Sequence, residues 1–192
     1  MSTEFEDIIY RVENAVATIT INRPHKLNAV TAETLQEIES ALDAAGKDPE
    51  VGVVVLTGAG EKAFCAGADV SWQREGKMGR TGAAMYSPPY MQIVRCPKPV
   101  IARVNGYAIG GGNHFAYFCD FTIAAEHAVF GQSEPRVAYP ASGPVINYVA
   151  RIVIAAHGVA GRRPRPRAST PDPPATGFIS RTSPPRTSTP SP

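Results

Sequence analysis

Strict alternation marks the start of the chain. Over Val16 to Asn22, Ala17, Ile19 and Ile21 share one side while Val16, Thr18 and Thr20 share the other, the period of a half-buried strand. Phe5 to Tyr10 reads as a strand before it, with Glu13-Asn14 as the turn. Arg23-Pro24 ends the pair. The period then changes: Thr31 is a helix N-cap, Leu35, Ile38 and Leu42 form a buried stripe, and Gly46 stops the helix after about Ala45. Val51 to Thr57 (VGVVVLT) is an unbroken apolar run, which predicts a strand covered on both faces. Residues 60–72 read as a loop with a helix start, 74–90 as a mobile loop, and 90–95 as a short helix. Pro97 and Pro99 introduce a strand over 100–104. A helix over roughly 111–118 and strands over 121–125 and 128–130 complete the pattern. Repeating β-α units joined by crossovers predict an α/β fold with largely parallel strands.

The pattern stops near Val153. Residues 154–192 contain nine Pro in 39 positions, with six Arg against one Asp. This composition cannot bury a core and predicts a disordered tail. The expected division is a domain over 1–153 and a tail over 154–192. The net charge of +2 therefore comes from the tail, leaving about −3 on the first 153 residues. The domain itself has no nucleic-acid-binding signature. No apolar run approaches membrane-spanning length, and the acidic N-terminus lacks a signal-peptide core, so no membrane association is expected. Cys65, Cys96 and Cys119 lack metal-like spacing and read as reduced thiols of a cytoplasmic protein. No metal site is expected.

Candidate chemistry concentrates between Lys98 and Glu134. The strand at 100–104 leads through Asn105-Gly106 to Gly110, Gly111 and Gly112, and then directly into an apolar helix. Glycines at a helix N-terminus leave backbone N–H groups bare where the macrodipole is positive, an arrangement that suits an oxygen becoming negative during a reaction. A tight turn with close helix packing explains the same spacing equally well. Glu134 is a candidate acid or base. Gly58-Ala59-Gly60 mimics a dinucleotide fingerprint but precedes no clear helix.

Four ordered motifs across about 150 residues resemble the crotonase superfamily, the enoyl-CoA hydratase/isomerase family. They are Asn22-Arg23-Pro24 with Asn28-Ala29, the stretch Ala63 to Val70, the stretch Pro97 to Gly112 with Cys119-Asp120, and Phe130 to Glu134. The resemblance implies a spiral of ββα units, incomplete at the C-terminus, that assembles as a homotrimer or a hexamer. It implies acyl-CoA thioester substrates, with coenzyme A part of the substrate and no permanently bound cofactor. By motif position, the N–H groups of Ala68 and Gly111 form an oxyanion hole for the thioester carbonyl. Glu134 stands where the second family glutamate lies, and His114 replaces the first. A histidine there serves as a base, as a hydrogen-bonding pocket residue or as a structural side chain. The resemblance puts Arg23 and Lys26 near the phosphate and pantetheine site and the Ala66 and Ala68 backbone at the adenine; Asp69, which follows the hole residue and orients its loop, and Gly110 complete the expected substrate-binding set.

Gly106 to Ile109, Asp120 to Ala125 and Ala150 to Val153 resemble dihydroxynaphthoyl-CoA synthases and ketocyclohexanecarboxyl-CoA hydrolases. Those enzymes typically carry Gly at the place of Glu134, and Ser and Asp where this chain has Tyr139 and Ala141. Isomerisation, hydrolysis and hydration thus all remain open, as does a non-catalytic CoA-binding remnant. Residues 154–192 also have the composition that a shifted reading frame in a GC-rich gene yields.

Overall fold

The computed structural model describes residues 5–71 and 88–132. The predicted loop at 74–90 falls mostly outside them, and Glu134, Tyr139 and the predicted tail wholly so.

The elements are β1 (Ile8–Glu13), β2 (Val16–Ile21), a 3-10 turn (Pro24–Lys26), α1 (Ala32–Lys47), β3 (Val53–Gly58), β4 (Ala63–Cys65), α2 (Pro88–Arg95), β5 (Val100–Val104), β6 (Tyr107–Ile109), α3 (Gly111–Phe118), β7 (Phe121–Ala124) and β8 (Val129–Gly131). They form a five-stranded sheet in the order β1-β2-β3-β5-β7 and a three-stranded sheet in the order β4-β6-β8. Only β1 runs antiparallel; every other pairing is parallel. From β3 onward the chain alternates between the sheets. One strand joins the large sheet, the next joins the small one, and a helix carries the chain back. This is the repeating ββα spiral.

Local sequence sets several of these elements. The β1–β2 hairpin pairs Glu13 with Val16 and turns at Asn14-Ala15, both with positive φ (51° and 63°), the primed-turn geometry that matches strand twist. β1 thus lies about three residues later than the pattern at Phe5 to Tyr10 predicts. Thr31 caps α1 as expected: its hydroxyl accepts from the Thr34 N–H, and the Thr34 hydroxyl accepts from the Thr31 N–H.

Gly46 does not stop α1, which runs on to Lys47. A methyl group at Gly46 would lie 3.1 Å from Pro97 Cδ, so this glycine marks a close approach by the α2–β5 connection.

One apolar layer holds the domain together. Leu35, Ile38, Ala41, Leu42 and Ala45 of α1 join Ala17, Ile19 and Ile21 of β2, Val54 and Leu56 of β3, and Val100, Ala102 and Val104 of β5 in a single buried cluster. Tyr90, Ile93, Phe115 and Phe118 bring α2 and α3 into it. The alternation read at β2 is thus confirmed. The other face of the large sheet is less covered among the described residues. Val53 and Val55 are half-buried, and Phe121 and Ile123 are 66% and 61% exposed. The expectation that 51–57 is covered on both faces does not hold within the described residues.

Two side-chain amides, one buried and one half-buried, tie the sheets together. Asn28, at 0% exposure, accepts from the Arg23 N–H (3.0 Å) and donates to the carbonyls of Ala59 (3.0 Å) and Ala63 (2.7 Å). Asn105 accepts from the Gly58 N–H (3.3 Å) and donates to the carbonyls of Gly58 (2.9 Å) and Gly60 (2.6 Å). Together they fix where β3 leaves the large sheet for β4. Asn28 also has φ 55°, a left-handed conformation that Asn tolerates better than most residues. Asn28→Ala strands three backbone groups and strains the left-handed position. Chemical denaturation is expected to show a loss of at least about 2 kcal/mol in unfolding free energy.

Candidate active site

The glycine triplet is the point where β6 becomes α3. Gly110 caps the helix with φ 53°, and its N–H donates to the Gly131 carbonyl at 2.8 Å, tying the triplet to the end of β8. The loop after β4 lies directly against it. Gly67 has φ 94°, and a methyl group there would sit 2.9 Å from the Ile109 carbonyl oxygen and 3.5 Å from Gly111 N. Gly112 presses on the strand before that loop: a methyl group there would fall 2.0 Å from the Cys65 carbonyl oxygen. Segments 65–69 and 110–112 therefore meet backbone to backbone, which answers part of the question left open by spacing. Gly112 is a packing glycine. Gly111 is different, because its nearest obstruction is a side-chain atom, Tyr90 Oη, at 3.0 Å.

Backbone geometry sets the direction of the Ala68 donor. The Val30 N–H donates to the Gly67 carbonyl (2.8 Å), and the Asp69 N–H donates to the Val30 carbonyl (2.9 Å). Ala68 is the residue bridged to Val30 between these two bonds, so its own N–H points away from Val30. Among the described residues that N–H has no acceptor. Neither does the N–H of Gly111, which opens α3 in the first turn, where helix donors are unpaired and the dipole is positive. Ala68 and Gly111 thus present two backbone donors, unpaired among the described residues, on adjoining segments.

Asp69 holds its loop in place. One carboxylate oxygen accepts from Arg23 Nη2 (3.2 Å), and the other accepts from the Ser71 N–H (3.0 Å) and hydroxyl. Arg23 turns into the fold. Its guanidinium is 14% exposed, pairs with Asp7 and Asp69 at 3.2 Å each, and donates to the Ala29 carbonyl. With all three nitrogens engaged inside the fold, it clips the residue before β1 to the Ala68 loop. Lys26 is exposed, with its ammonium 3.3 Å from the Ser71 hydroxyl, at the mouth of the same loop. Ala66 donates its N–H to the Leu27 carbonyl at 3.1 Å and keeps partial exposure.

His114 lies on the first turn of α3, buried, with its ring edge-on to Tyr90 (centroids 5.9 Å apart, planes at 71°). Tyr90 escaped the sequence reading. It comes from α2, packs against Phe115 and Phe118, and donates its hydroxyl to the Gly111 carbonyl at 3.2 Å. No local signal marks it, because its place depends on how α2 packs on α3.

Two of the three cysteines are buried. Burial pushes the Cys65 and Cys119 thiols from 9.0 up to about 12. Among the described residues no cluster suits a metal, and no helix is long and apolar enough to cross a membrane.

Sheet order and the ββα spiral define the class of fold, and comparison with known proteins agrees. The Enoyl-CoA hydratase/isomerase family model matches residues 11–159, and the chain belongs to that family. An enoyl-CoA hydratase/isomerase from Xanthobacter autotrophicus Py2 is 38% identical over 69% of this chain and 51% of its own, with a TM-score of 0.66. An enoyl-CoA hydratase from Bacillus anthracis is 34% identical over 77% of this chain and 58% of its own, with a TM-score of 0.71. An enoyl-CoA hydratase subunit I from Geobacillus kaustophilus HTA426 is 31% identical over 82% and 61%, with a TM-score of 0.72. The chain therefore spans between half and two thirds of these relatives. The fold is the crotonase fold. The finer likeness to dihydroxynaphthoyl-CoA synthases finds no support in these matches.

Two outcomes follow from this packing. Gly112→Ala should lower the thermal midpoint far more than Gly111→Ala, because backbone blocks the first methyl and a movable hydroxyl the second. Thiol titration of the folded chain at pH 8 should label Cys96, which is partly exposed, and spare Cys65 and Cys119. The two buried thiols also predict falling stability between pH 9 and about 12, since the unfolded chain releases their protons in that range and the folded chain keeps them.

Proposed function

We propose that this chain binds acyl-CoA thioesters and moves a proton next to the thioester carbonyl, in the manner of an enoyl-CoA hydratase or isomerase. The observation that carries the reading is the pair of N–H donors at Ala68 and Gly111, unpaired among the described residues, on closely approaching backbone segments. A thioester carbonyl placed between them gains two hydrogen bonds that strengthen as the oxygen becomes an enolate. Loss of one such donor typically costs roughly 3–4 kcal/mol of transition-state stabilisation.

The proton carrier is Glu134. It lies outside the described residues, but it follows Gly131 by three positions, and Gly131 is bonded to Gly110. In isomerisation one carboxylate takes a proton from the substrate carbon and returns it to another carbon of the same chain. In hydration, water adds to the β-carbon while a proton reaches the α-carbon, work that commonly uses a second group. His114, on the same helix turn as the donor, is the side chain assigned to that second role. Lys26, exposed beside the Ala68 loop, is the cation assigned to the coenzyme A phosphates, with the Ala66 backbone facing the adenine. A homotrimer is part of the same proposal, and light scattering coupled to size exclusion measures it.

Crotonyl-CoA hydration and 3-enoyl-CoA isomerisation, assayed in parallel on the full chain, test the reading. Glu134→Gln is expected to lower the active reaction by about 10² to 10⁴-fold. Full retention of activity in that variant removes Glu134 from the mechanism. Coenzyme A binding with no turnover of either substrate would favour a binding module over an enzyme.

A further inference from the structure

Tyr90 touches both functional elements of α3 and belongs to neither. Its hydroxyl donates to the Gly111 carbonyl at 3.2 Å, and its oxygen is the nearest obstruction, at 3.0 Å, to any side chain at Gly111. Its ring meets His114 edge-on at 5.9 Å and stacks on Phe118 at 5.3 Å with planes at 27°. It is almost fully buried, so its hydroxyl sits where a hydrogen bond holds its geometry without competition from bulk water.

We infer that Tyr90 is a positioning residue for the Gly111 donor: its hydroxyl fixes the first turn of α3 and so aims the Gly111 N–H. The argument is mechanical. Gly111 is flanked by two more glycines and has no side chain of its own to hold it. Gly110 carries a left-handed backbone, and a helix N-terminus is the part of a helix that frays. A donor aimed at a developing charge acts only if it does not have to reorganise during the reaction. Three constraints converge on this turn. Gly112 is locked against the Cys65 carbonyl, Gly110 is bonded to Gly131, and the carbonyl of Gly111 is bonded to Tyr90. The first two fix the neighbours, and Tyr90 alone among the described side chains donates a hydrogen bond to Gly111 itself. The same contact accounts for glycine at position 111, where the φ is not left-handed and the backbone leaves room.

This inference rests on the acyl-CoA reading, and its test separates the two. The infrared carbonyl stretch of bound butyryl-CoA, labelled with ¹³C at the thioester carbon, reports donor strength without turnover. In the full chain the stretch should fall on binding. In Tyr90→Phe, which keeps the ring and its stacking, the fall should shrink, and kcat should drop about 5- to 20-fold with KM changed less than twofold. Gly111→Ala provides the second arm. Alone it forces its methyl against the hydroxyl and should impair kcat; combined with Tyr90→Phe it should cost less than the product of the two single effects. If the parent chain binds butyryl-CoA with no fall in frequency, or binds none, the acyl-CoA reading fails. If the parent lowers the frequency while Tyr90→Phe leaves stretch and kcat unchanged, or if the two substitutions combine multiplicatively, Tyr90 is a packing residue and the inference is overturned.

Discussion

Two backbone segments more than forty residues apart touch with no side chain between them, and everything at this site depends on that contact. Gly67 lies against Ile109 and Gly111, and Gly112 lies against Cys65. Any Cβ at Gly67 or Gly112 would push the β4 loop away from α3. With it would go the adjacency of the Ala68 and Gly111 donors. A donor pair made of main chain has a practical advantage: it cannot rotate away as a hydroxyl or amide side chain can. Its cost is that the chain must be brought close at several points and held there.

The holding is done largely by polar groups outside the site. Asn28 and Asn105 satisfy the backbone where β3 departs for β4. Arg23 and Asp69 clip the Ala68 loop to the residue before β1 through a partly buried ion pair flanked by further hydrogen bonds. Breaking one partner of such a network leaves the other charge poorly compensated, so the loop is specified as well as stabilised. A resemblance placed Arg23 at a phosphate site. In the fold its three nitrogens also hold the loop on which Ala68 stands.

Much of the architecture was legible in the chain. The alternation at Ala17, Ile19 and Ile21, the Thr31 cap, the stripe on α1 and the strand at 100–104 all appear where the pattern places them. These are local effects, and each is written in a few adjacent residues. The misses are non-local. β4 and β6 are three residues each, too short for a period-two signal, and they become strands only by pairing with each other and with β8. Gly46 looks like a helix stop by type, yet its reason is Pro97 across the connection.

The site divides along the same line. The sequence by itself determined that glycines open α3, that Ala68 follows a small-residue loop, and that the family is the hydratase/isomerase one, because motif order and residue size are one-dimensional facts. Tertiary structure alone decided which glycine is packed and which is free, that Arg23 faces inward, and that Tyr90 reaches the Gly111 carbonyl. Those depend on contacts between segments well separated in the chain, where distance in space is set by sheet order and helix packing and leaves no mark on neighbouring residues.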